Sequence, residues 1–85
     1  MGVTSVAFSP DDWMIISGNR DKFVKLWKID GGKEVRTFTG HSGPVFSVAF
    51  SPDGLYALSG SGDGEALQIK NFKLWNVITG KELVA

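Results

Sequence analysis

The sequence predicts an all-β chain made of two consecutive four-stranded antiparallel sheets, and three observations carry that prediction. The first is an internal repeat. Residues 3–21 laid over 45–63, an offset of 42, agree at eleven of nineteen positions, and a period of that size belongs to repeat architectures. The second is a succession of short β-branched and aromatic runs at spacings of about eight to twelve residues. The third is glycine and proline punctuation between those runs. No stretch has a convincing helical period, apart from a faint one inside Glu65–Ile69.

The elements follow in order. Val3–Phe8 is the first strand and stops at Ser9-Pro10-Asp11-Asp12, where proline presets the turn. Trp13–Gly18 is the second, closed by Asn19-Arg20-Asp21. Phe23–Ile29 is the third, ended by Asp30-Gly31-Gly32, and Glu34–Thr39 is the fourth. The same series then recurs. Val45–Phe50 runs into Ser51-Pro52-Asp53-Gly54, Leu55–Gly60 into Ser61-Gly62-Asp63-Gly64, Asn71–Ile78 into Thr79-Gly80, and Glu82–Ala85 is a shortened fourth strand. The outer halves align at an offset of 48, through Lys25/Lys73, Leu26/Leu74, Trp27/Trp75, Gly32/Gly80, Lys33/Lys81 and Glu34/Glu82. The second unit therefore carries a six-residue insertion, placed at Glu65–Lys70. The predicted division is residues 1–39, a loop at 40–44, and residues 45–85.

Composition narrows the function classes. The 85 residues are 42% apolar and 21% charged, with nine basic and nine acidic side chains and no net charge. That balance argues against nucleic-acid or membrane-surface binding through bulk electrostatics. No cysteine is present, so there is no disulfide framework and no thiolate zinc site. No apolar stretch is long enough to span a bilayer, and Met1-Gly2 enters strand-like sequence with no secretory signal. A cytoplasmic setting is the default expectation.

The Gly40-His41 dipeptide, the Ser-Val-Ala-Phe-Ser-Pro-Asp strand and turn, the Ser-Gly-x-x-Asp stretch and Lys-Leu-Trp together resemble the WD-repeat β-propeller family. The resemblance covers nearly the whole chain. The aspartate that follows the tryptophan in the family is replaced by Lys28 and Asn76. The resemblance implies two successive four-stranded propeller blades, beginning at an innermost strand and ending in an outermost one. The resemblance implies a propeller that closes with several blades, usually about seven and sometimes six or eight, each sandwiched between neighbours. Two blades do not close. A free face exposing ~400 Å² of apolar surface is already at the limit soluble monomers tolerate, and at ~25 cal/mol/Å² it forgoes roughly 10 kcal/mol. Either the chain is part of a longer propeller or copies assemble head to tail. Copies of a two-blade chain make an even total, six blades from three or eight from four, and a heterologous joint must close or run on as a filament.

His41, Ser59 and Asp63 have the residue types of a nucleophilic triad. The family resemblance implies a different role, a buried structural hydrogen-bond tetrad of His41, Ser59, Asp63 and Trp75. Buried indole N–H needs an acceptor, which serine supplies while passing its own proton to imidazole. The first unit has only Ser17, Asp21 and Trp27, an incomplete tetrad without a histidine. One histidine and no paired carboxylates leave little to build catalysis from. No catalytic residue, cofactor site or metal site is expected, because Asp11-Asp12 and Asp53-Gly54 lack calcium-loop spacing. Ser61-Gly62-Asp63-Gly64 lacks the lysine and helix of a phosphate cradle.

Insertion residues Glu65, Leu67, Gln68, Ile69 and Lys70 are the candidate partner-contact loop, on the face that docks peptides or proteins in the family. A longer surface hairpin is the bland reading of the same segment. Trp13 and Tyr56 are expected in interblade packing. Lys22, Lys25, Lys28 and Lys33, interrupted by Asp21, Asp30 and Glu34, read as a solvated edge. The expected function is a non-enzymatic scaffold for protein–protein interaction that self-assembles into a ring. The alternative is a ligand-binding or enzymatic propeller using a channel or inter-chain site.

Overall fold

The structure, a computed structural model, describes residues 2–62 and 71–84. Among the described residues, eight strands form two antiparallel sheets, each in sequence order. The first sheet holds β1 (Val3–Phe8), β2 (Met14–Asn19), β3 (Val24–Lys28) and β4 (Glu34–Phe38). The second holds β5 (Val45–Phe50), β6 (Tyr56–Ser61), β7 (Asn71–Asn76) and β8 (Glu82–Val84). The two meanders are those expected, although the second strands begin one residue later than Trp13 and Leu55. A single 3-10 turn at Asp30–Gly32 stands where the sequence reads as a plain turn. Among the described residues no helix is long and apolar enough to cross a membrane. Asp63 and the insertion 65–70, including the faint helical period, lie outside the described residues.

The Ser-Pro-Asp turns explain why each sheet starts as a tight hairpin. Ser9 Oγ donates to Asp11 Oδ1 at 2.6 Å, and the same carboxylate accepts from the Trp13 amide at 3.0 Å. Ser51, Asp53 and Leu55 repeat this at 2.5 and 3.0 Å. These donors, the serine hydroxyl first, hold the Asp11 and Asp53 carboxyls below the usual carboxylate range. The residue leaving the turn has positive φ in both copies, 62° at Asp12 and 74° at Gly54. Short polar residues and glycine tolerate that conformation.

Strand pairing sorts the side chains onto faces, since directly opposed residues share a face. Ala7, Ile16 and Leu26 are in register on one face of the first sheet. Val48 and Ser59, and Phe50, Ala57 and Trp75, are in register on one face of the second. These two faces press together. Their shared core contains Ile16, Val24, Leu26, Phe38, Val45, Val48, Ala57, Trp75 and Val77. An ideal Cβ on Gly18 would lie 2.7 Å from Val45 Cγ1 and 3.2 Å from Val48 Cγ1. Glycine is what lets β5 approach β2 this closely.

Polar contacts lock the same joint. The Thr4 hydroxyl donates to the Val45 carbonyl, and the Val48 amide donates to Ser5 Oγ at 3.3 Å. Farther out, the Arg36 guanidinium donates to the Ile78 carbonyl at 2.7 Å and the Thr79 carbonyl at 3.1 Å. The opposite face of each sheet carries exposed apolar side chains. Val6 and Phe8 are more than half exposed on the first sheet, as is Phe72 on the second.

Trp13 and Tyr56 take no part in the joint between these two sheets. Trp13 is 71% exposed and Tyr56 37%. Alternation explains both positions. Met14 takes the inward face and turns Trp13 outward, while Tyr56 pairs with Asn76 on the outward face of the second sheet.

Candidate functional site

The candidate site starts at the loop between the sheets. Gly40 has φ of 144°, and a Cβ there would lie 2.9 Å from Glu82 Oε1 and 3.3 Å from Trp75 Cη2. Both the conformation and the close approach call for glycine. This bend turns the next residue, His41, inward until it is 6% exposed.

Three of the expected tetrad residues meet there. Trp75 Nε1 donates to Ser59 Oγ at 2.8 Å, and Ser59 Oγ lies 2.5 Å from His41 Nε2. Indole can only donate, so Ser59 accepts from it and has its own proton left for the imidazole. That assignment makes Nε2 the acceptor and places the ring proton on Nδ1. Nδ1 is buried with no hydrogen-bond partner among the described residues. The fourth member, Asp63, lies outside them.

Packing and charge frame this chain of bonds. Trp75 stacks on Phe38 of the first sheet, with ring centroids 5.2 Å apart at 26°, so the hydrogen-bond chain is tied to the joint. Lys73 Nζ lies 2.9 Å from Glu82 Oε2 at its edge. Burial lowers the His41 pKa most, the nearby Lys73 charge lowers it further, and Glu82 opposes both. The resident form of the imidazole is neutral, as an acceptor at Nε2 requires.

The first sheet holds a reduced version. Trp27 Nε1 donates to Ser17 Oγ at 3.0 Å. Asp21 Oδ1 is buried with no partner among the described residues, and no histidine is available in this unit. Lys25 Nζ lies 3.6 Å from Glu34 Oε1, matching the Lys73–Glu82 pair of the second sheet. The Glu34 carboxyl is held below its usual range, chiefly by the Thr37 hydroxyl with Lys25 assisting. Lys25 is therefore half of a repeated ion pair, a role that the reading of a solvated edge missed. The signal was present in the recurrence of Lys25/Lys73 and Glu34/Glu82 at one offset. Arg36 was missed as well, and it has no such signal because its repeat counterpart is Val84.

The chemical capacity of this arrangement is structural. Ser59 is fully buried and its hydroxyl is held between an indole and an imidazole, so it presents no face to a substrate. No group of three His, Asp or Glu side chains among the described residues could hold a metal ion. A shallow hollow lined by Gly40, His41, Ser42, Asn71, Phe72 and Lys73 opens beside the histidine. Its lining residue Asn71 directly follows the second unit's insertion in sequence.

Comparison with known proteins places this geometry. The chain is 36% identical over 81 residues to the serine-threonine kinase receptor-associated protein of Bos taurus, covering 93% of this chain and 21% of that protein. It is 40% identical over 83 residues to the small ribosomal subunit protein RACK1 of Caenorhabditis elegans, covering 95% and 24%. It is also 38% identical over 92 residues to the SAGA complex/transcription factor TFIID complex subunit Taf5 of Schizosaccharomyces pombe, covering 92% and 13%. The chain thus spans about one-fifth of the length of the first of these relatives. The WD domain, G-beta repeat family model matches residues 1–28 and 32–67. Two four-stranded sheets, each with an internal Ser–Trp hydrogen bond and linked by a Gly-His loop, agree with that match, and the chain belongs to the WD-repeat family.

Proposed function

We propose that the chain is a non-enzymatic scaffold whose blades complete a propeller for protein–protein interaction by joining copies of themselves head to tail into a closed ring. One observation carries this reading. Val3 and Val6 on the outward face of the first sheet are each 61% exposed, whereas their repeat counterparts Val45 and Val48 are 0% and 7% exposed. A face built like the buried one is left open at one end of the pair, and the opposite end leaves its complement open. Each chain brings two blades, so three or four copies give a ring of six or eight. In a longer chain the same faces would be covered by further blades of that chain.

Within this reading His41, Ser59, Asp63 and Trp75 brace the second blade, and Ser17, Asp21 and Trp27 are the shortened brace of the first. The relatives' printed names include a receptor-associated protein and subunits of larger assemblies, which supports a role in protein contacts. One is a ribosomal subunit protein, which supports the cytoplasmic setting. Residues 65–70 are the candidate segment for contact with other proteins. Native mass spectrometry of the 85-residue chain tests the assembly. A dominant species of three or four chains is expected, and a monomer at micromolar concentration would overturn the ring.

A further inference from the structure

We infer that the joint between copies reproduces the joint inside the chain, with the outward face of β1–β3 of one copy seated on the outward face of β5–β7 of a second copy. This rests on the assembly reading above and specifies its surface. The internal joint is the template, because both of its halves recur in the sequence on faces that carry exposed apolar side chains.

On the receiving side, Ile16 is fully buried under the second sheet, and its counterpart Leu58 is 41% exposed. Val24 is likewise fully covered, while Phe72 in its place is 54% exposed. Ser5, which accepts the Val48 amide across the internal joint, recurs as the exposed Ser47. Gly18, the position that makes room for Val45 and Val48, recurs as Gly60. On the inserting side, Val3 and Val6 stand where Val45 and Val48 stand in the internal joint. Ser5, Ile16 and Val24 thus have exposed counterparts in Ser47, Leu58 and Phe72, and Val45 and Val48 in Val3 and Val6, while Gly60 is itself buried.

The outer half is not duplicated. Arg36, which grips the Ile78 and Thr79 carbonyls, is replaced by Val84, and Thr4 by Phe46. The joint between copies keeps the apolar seat and the Ser47 acceptor and loses both of these clamps. A single inter-copy joint is accordingly weaker than the internal one, and ring closure, which makes every joint simultaneous, compensates for that.

Because the joint is heterologous, each face can be blocked without touching the other. Val6→Asp spoils only the inserting face, and Leu58→Asp only the receiving face. Both positions are exposed, so each variant keeps the wild-type far-UV circular dichroism. In sedimentation velocity the wild type is expected to run as a closed oligomer and each variant alone as a monomer. Mixed in equal amounts, the two variants are expected to form a one-to-one dimer that goes no further. The Leu58→Asp copy still inserts its intact Val6 face into the intact receiving face of the Val6→Asp copy. An oligomeric wild type whose folded variants remain oligomeric, or whose mixture stays monomeric even at concentrations far above those at which the wild type assembles, would overturn this joint while leaving self-assembly standing. A monomeric wild type would remove the assembly reading and the joint together.

Discussion

His41 is where one side chain reports on the whole second blade. Its imidazole is the chain's only one, and burial and the Lys73 charge lower its pKa below the ordinary 6.5. The unfolded chain binds the proton more readily than the folded one, so folding stability must rise with pH across that interval. The contribution of neutral His41 is complete above pH 6.5 and is lost as pH falls through the folded pKa. Asp11, Asp53 and Glu34, whose pKa values are also lowered, titrate farther into the acid range from starting values of 3.8 and 4.5. The window between pH 6.5 and the carboxylate range therefore belongs to His41. Urea unfolding midpoints measured across it should fall on acidification for the wild type and stay flat for His41→Gln. The same slope in the variant would mean that the imidazole is not the group being titrated.

At the scale of elements, the contact of β2 with β5 sets the distance between the sheets, and Gly18 sets the contact. A methyl group there would meet Val45 Cγ1 at 2.7 Å, and valine has no long flexible end that can swing away. Overpacking of this kind costs about 1–3 kcal/mol. Gly18→Ala should lose that much in chemical denaturation, while Gly2→Ala, which meets nothing within 4 Å, should lose little. Equal effects from the two substitutions would argue against a tight joint.

The same contact shows how far the sequence could be read. The strands, their order and the Ser-Pro-Asp hairpins were legible because each follows from local signals: alternation, proline at a fixed turn position, and a serine and aspartate two residues apart. The Ser–Trp–His association was legible through the family resemblance, since its members are distant in sequence and no local rule brings them together. The placement of Trp13 was not legible. Its outward orientation depends on which face the second sheet covers, and that is a tertiary choice. Arg36 was hidden for a related reason. Its carbonyl partners at Ile78 and Thr79 are backbone atoms, which leave no side-chain pattern to detect.

For the whole molecule, the question is which force would close the proposed ring. Lys25 and Glu34 on the outward face of the first sheet are already paired with each other. On the outward face of the second sheet, the described strands present Ser47, Ala49, Tyr56, Leu58, Phe72 and Leu74, none of them charged. With no net charge on the chain and no cross-joint ion pair to screen among the described residues, association between copies in the proposed ring would be apolar in origin. Apolar association is entropic near room temperature and weakens on cooling. Electrostatic association instead fades as the Debye length shrinks from about 10 Å at 0.1 M salt to 3 Å at 1 M. The proposed oligomer should therefore resist sodium chloride over that range, tighten in sulfate, and shed subunits on cooling towards 0 °C. Sedimentation equilibrium across both series distinguishes the two origins. Dissociation driven by sodium chloride, with no effect of cooling, would show that charges hold the copies together and that the open valine faces do not.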